Sequence, residues 1–127
     1  MKRRTFFQRI LGGLGIAAAS PVLGIEDRSV LIQESPIAGF QFHGGEAVWP
    51  SLSVGAKLNL VRESANPHDD NAVAVYFHNE QLGYVPRTEN AAIAQMFDRG
   101  ESLEARISKL LVDEDPWERV FISVSVI

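Results

Sequence analysis

The stretch Leu60–Pro86, LVRESANPHDDNAVAVYFHNEQLGYVP, reads as the end of one strand, a rigid turn and a hairpin. Lys57–Glu63 (KLNLVRE) alternates, with Leu58 and Leu60 on one face. Ala72–His78 (AVAVYFH) alternates too, with Val73, Val75 and Phe77 on one face and Ala74, Tyr76 and His78 on the other. Between them Asn66-Pro67 opens a turn, because proline fixes one backbone dihedral and asparagine folds its side chain back on the chain. Asp69, Asp70 and Asn71 can hydrogen-bond backbone groups of the same loop, so the connection should be rigid and polar. Asn79-Glu80 makes a tight link to Gln81–Val85. Gly83 marks a bulge or a close approach of another backbone, and Pro86 ends the strand.

Upstream, Ser29–Glu34 and Ile37–Phe42 flank Ser35-Pro36, which predicts two short strands or one kinked strand. His43-Gly44-Gly45-Glu46 reads as a turn or loop. Downstream, Thr88 as N-cap and Gly100 as the residue after the C-cap bracket a helix over Glu89–Arg99, with Ala92, Ile93, Met96 and Phe97 as its apolar stripe. Ser102–Leu110 and Arg119–Ile127 read as strands joined by the acidic loop Val112–Trp117. Val120, Ile122, Val124 and Val126 share one face of the last strand. The fold class is mainly β with one helix, a small six-stranded, partly closed barrel over residues 25–127.

The 127 residues hold 12 Lys+Arg against 16 Asp+Glu, a formal charge of −4, and no cysteine. Disulfides, Fe–S clusters, cysteine nucleophiles and cysteine zinc sites are excluded. Lys2, Arg3, Arg4 and Arg9 precede the apolar run Ile10–Ala19, and no acid appears before Glu26. Residues 1–24 therefore read as an export leader, too short in its apolar run for a span of about 20 residues. Arg3-Arg4-Thr5-Phe6-Phe7-Gln8 is similar to a twin-arginine signal motif, and Ala17-Ala18-Ala19 offers a cleavage site. The expected location is periplasmic or otherwise extracytoplasmic. With the four leader cations set aside, eight basic residues face sixteen acidic ones, a charge of −8. That sign repels phosphate at long range.

Arg62-Glu63, Asn66-Pro67-His68-Asp69, Asn71-Ala72-Val73-Ala74-Val75 and then Gly83-Tyr84-Val85-Pro86 together resemble the HIRAN domain family. Ala38–Phe42 resembles the family's first strand, and Leu52, Gly55 and Leu58 its spacing before the second. The resemblance implies an OB-like barrel, found alone in bacteria or attached to DNA translocases and nucleases. Attached members capture free 3′ ends of single-stranded DNA; the zinc and ATP chemistry of such proteins belongs to neighbouring domains. Carried over residue by residue, the ligand pocket would comprise Gln41 and Phe42 on the strand, Asn66, His68 and Asp69 in the loop, and Tyr84 nearby. End-binding members have Arg-Tyr where this chain has Gln41-Phe42, and Tyr where it has His68. The phosphate-neutralising cation is thus lost, while Phe42 and His68 keep faces on which bases stack. Phosphate attraction then falls to Arg62, Arg87 or backbone amides.

Other chemistry reads more weakly. His68-Asp69-Asp70, with His43 and His78, has metal-ligand residue types, but Asp69 has a structural role in the turn, and neighbouring residues seldom face one ion. Ser35, Ser51, Ser53 and Ser64 lie outside any nucleophile elbow or phosphate loop. Trp49 and Trp117 read as core plugs before base platforms. The expected function is a non-catalytic, cofactor-free binding module whose family-implied partner is single-stranded nucleic acid. The alternative is an exported interaction domain with a protein, peptide or envelope partner; a metal-dependent hydrolase is the remote one.

Overall fold

The computed structural model describes residues 29–112 and 119–127. The leader with Arg3, Arg4, Phe6 and Phe7, and the acidic run with Trp117, lie outside the described residues. Six strands follow in order: β1 (Val30–Pro36), β2 (Lys57–Arg62), β3 (Val73–Phe77), β4 (Glu80–Tyr84), β5 (Leu103–Leu110) and β6 (Val120–Val126). They form one antiparallel sheet in the order β1-β6-β5-β2-β3-β4. β2 turns the corner: Lys57 and Leu58 pair with Arg106 and Ala105 of β5, whereas Asn59–Arg62 pair with β3.

The two outer strands are brought together by the chain leaving β1. Ala38 N–H donates to the Tyr84 carbonyl at 2.8 Å, and Tyr84 N–H to the Ala38 carbonyl at 2.9 Å. This bridge partly closes the barrel, and it explains Gly83. A Cβ there would lie 2.3 Å from the Ala38 oxygen, and the residue has φ +151°, so the close approach requires glycine. Val73, Val75, Ile122 and Val124 bury their side chains inside, as their alternation predicts, together with Leu82 and Ile107; Ala74, on the opposite face of β3, is buried as well.

Several expected boundaries change. β1 runs through Ser35-Pro36 without a break, with a bulge between Leu31 and Gln33. Ile37–Phe42 is not a strand: after the Ala38 bridge, Gly39 adopts φ +75° and Phe40–Phe42 form a 3₁₀ turn. Gln41 and Phe42 therefore sit on a turn. The segment expected as a loop at His43–Glu46 leads into a short helix, α1 (Gly45–Val48). The expected helix is shorter, α2 (Ala91–Asp98), preceded by a 3₁₀ turn at Arg87–Glu89. Thr88 does not cap it; Asn90 occupies the cap position, but its side chain faces elsewhere. At the other end Gly100 N–H donates to Phe97 O and Glu101 N–H to Met96 O, with Gly100 at φ +85°, a Schellman ending. Ile93 and Ala94 are its buried residues, and Ala92 is exposed.

Candidate nucleic-acid interface

The Asn66–Asn71 turn is built from its own polar groups. Asn66 Oδ1 accepts the His68 N–H at 2.8 Å, and Asp69 Oδ1 accepts the Asn71 N–H at 2.9 Å. Both are side chains closing on the backbone two residues on, as short polar turn residues do. Asp69 Oδ2 accepts the Asn90 amide at 2.8 Å, and Asn90 is 1% exposed. Arg87 lies 3.9 Å from the same oxygen. The carboxyl of Asp69 is held below its ordinary 3.8, chiefly by the Asn71 N–H; burial opposes, and Asn90, Arg87 and Arg62 assist. Asp70 is exposed.

Glu63 links this turn to the barrel. Its Oε1 accepts the Asn66 amide at 3.0 Å and the Tyr84 hydroxyl at 2.9 Å. The Gln81 side chain acts to lower the Tyr84 pKa, but burial, the Glu63 hydrogen bond and the Glu63 charge outweigh it, and the net shift is upward. The phenol stays protonated and remains a donor. The rings of Tyr84 and His43 meet edge to face, centroids 5.7 Å apart. His43 in turn bonds the Gly39 carbonyl through Nδ1 at 2.7 Å. The turn carrying Gln41 and Phe42 is thus tied to the Asn66 loop through His43, Tyr84 and Glu63.

On this frame Phe42 projects outward, 78% exposed, and His68 is also exposed. Gln41 is half-buried, with Oε1 enclosed and unpartnered. Arg62–Pro67 line an open depression of about 420 Å³ beside the loop. The two arginines expected to attract phosphate differ. Arg62 is clamped, donating through Nε to Asp98 Oδ1 at 3.1 Å, through NH2 to Oδ2 at 3.2 Å and through NH1 to the Ala72 carbonyl at 3.1 Å. Arg87 is 76% exposed, and its Asp69 contact is loose. Among the described residues no group of three or more His, Cys, Asp or Glu is placed to hold a metal ion. Among them also, no helix is long and apolar enough to cross a membrane.

The sequence alone gives no individual role to Glu63 or Asn90, and it offers His43 only among the metal-ligand residue types. Asn90 reads as a surface residue before a helix, whereas it is buried against a partner, Asp69, 21 residues away. Glu63 adjoins Arg62 in the motif, a signal that could have found it.

The likenesses to known proteins bear on the fold. A protein from Lactobacillus plantarum superposes with a TM-score of 0.68 at 27% identity, over 77% of this chain and 94% of that one. The HIRAN domain of human HLTF superposes with a TM-score of 0.59 at 19% identity, over 77% and 78% of the two chains. A search of curated proteins returns no match. The HIRAN domain model matches residues 30–126, from the start of β1 to the end of β6, and so the chain belongs to the HIRAN domain family of nucleic-acid-binding modules.

Proposed function

We propose that this domain receives the free 3′ end of single-stranded DNA on the surface made by the Phe40–Phe42 turn, the Asn66–Asn71 loop and Tyr84. The observation carrying this reading is the junction of the two signature segments through the Ala38–Tyr84 bridge, with an aromatic face left in solvent beside it. Phe42 stacks a base, and Asn66, His68 and Asp69 offer polar contacts to the terminal sugar and phosphate. Arg87 supplies long-range attraction, since Arg62 is committed to Asp98. The domain binds; it does no chemistry of its own.

The acidic surface favours a second reading, an exported interaction domain with a protein, peptide or envelope partner, because eight basic residues face sixteen acidic ones beyond the leader. Export by the twin-arginine route belongs with both readings. The discriminating experiment titrates the chain with short single-stranded DNA whose 3′ end is free or blocked. Phe42→Ala should weaken binding of the free end by about 1–3 kcal/mol, the worth of one stacked base, without changing the melting point. Few counterions are released, so affinity should fall only shallowly with salt, a log–log slope of about −1. No binding at low salt would leave the second reading standing.

A further inference from the structure

We infer that His43, as an imidazolium, supplies the phosphate-contacting cation of this interface, which makes end capture proton-coupled. The inference rests on the single-strand reading above. No lysine or arginine occurs between Ser29 and Ala56, so the segment carrying the exposed Phe42 has no permanent cation. His43 is the one residue in that segment able to become positive, and it follows Phe42 directly.

Its geometry fixes which nitrogen is available. Nδ1 lies 2.7 Å from the Gly39 carbonyl, which can only accept, so Nδ1 carries a proton. The neutral ring therefore holds its lone pair on Nε2, and a phosphate oxygen brought there meets lone pair against lone pair. Protonation turns Nε2 into a charged donor and leaves the Gly39 bond intact. Imidazole is the side chain that makes this change between about pH 5 and 8. The charged and titratable groups around it are Tyr84 on β4 with Glu63 behind it, Glu80 at the start of β4 against Gly44, and Glu46 in α1, which is paired with Arg119. None of them is a free cation that would make His43 redundant.

Phosphate then selects the protonated ring, and each oligonucleotide bound takes up a proton. The test uses the full chain and a labelled single-stranded DNA with a free 3′ hydroxyl, at constant ionic strength. Affinity should be about tenfold higher at about pH 5.5 than at about pH 7.5, the worth of one charge-assisted hydrogen bond. His43→Gln should bind equally at both pH values, at the level the native chain shows at the higher one. His43→Arg should bind tightly at both, which separates loss of charge from loss of fold. His78→Gln, outside the interface, should keep the native pH dependence. Calorimetry in two buffers of different ionisation heat should show proton uptake in the native chain and none in His43→Gln. Binding without pH dependence, or pH dependence that survives His43→Gln, overturns this inference and leaves the single-strand reading intact. Absence of binding at both pH values in low salt overturns that reading, and this one with it.

Discussion

Replacing Asp69 by alanine should cost about 2–4 kcal/mol of stability, because each of its oxygens holds a group with no alternative partner. Oδ1 accepts the Asn71 N–H at 2.9 Å; a hydrogen bond to a charged acceptor contributes about 1.5–3 kcal/mol. Oδ2 accepts the Asn90 amide, which is 1% exposed and would be left buried and unpaired, at a further cost of about 1–3 kcal/mol. The two costs overlap, since α2 can shift to admit water to Asn90. For a domain of this size the melting point should fall by about 10–20 °C. Asp69→Asn should lose far less, about 1 kcal/mol, because its oxygen can keep Asn71 while the Asn90 amide turns over. Guanidinium denaturation of the three proteins, followed by Trp fluorescence, gives the comparison. A loss below about 0.5 kcal/mol for Asp69→Ala would refute the structural role and leave the carboxylate free for a ligand.

The acid limb makes a second check on the same residue. The carboxyl of Asp69 is held below its ordinary 3.8 in the folded chain, chiefly by the Asn71 N–H. A depressed carboxyl contributes stability fully above its unfolded value and loses it as pH falls through the folded one. The stability gap between the native chain and Asp69→Ala should therefore be level near neutrality. It should narrow only below 3.8. A gap that grows on acidification would contradict the assignment.

Gly83→Ala should destabilise more than any exposed change, by about 3 kcal/mol or more, because its Cβ would sit 2.3 Å from the Ala38 oxygen and force the β1–β4 closure apart. Soluble yield and the denaturation midpoint should both fall, and an unchanged midpoint would mean that the bridge carries little of the fold. Replacing Arg3 and Arg4 together by lysine should leave full-length precursor in the cytoplasm, read by fractionation and mass; unaltered processing would exclude the twin-arginine route.

The strands that alternate were legible because one of their faces meets the core. Val73, Val75, Val120, Ile122 and Val124 all lie buried as their spacing predicts. The Asn66–Asn71 turn was legible because its hydrogen bonds are local, spanning two residues. What sequence alone could not show is non-local. The Asp69–Asn90 bond and the Ala38–Tyr84 bridge join segments far apart in the chain, and no local pattern encodes either pairing. The strand reading of Ile37–Phe42 failed for a different reason. Alternation selects Ala38, Phe40 and Phe42, whereas the residues buried are Ile37 and Phe40, three apart. The left-handed Gly39 between them ends the extended chain and opens the Phe40–Phe42 turn, which an alternating pattern does not encode.

This change of backbone separates two residues that the family resemblance treats as a pair. Phe42 is carried into solvent, while Gln41 stays half-buried with its amide oxygen enclosed and unpartnered. A substitution at 41 therefore disturbs packing and binding together. Arginine placed there would have to bring a guanidinium toward the enclosed site where the amide oxygen finds no partner, at a desolvation cost that offsets its attraction for phosphate. His43 differs in that its Nδ1 is already satisfied by the Gly39 carbonyl, which leaves Nε2 as the nitrogen the proposed contact would use. In the proposed interface Phe42 would supply the stacking face, and His43, the residue after it, would take the place of the cation that position 41 lacks.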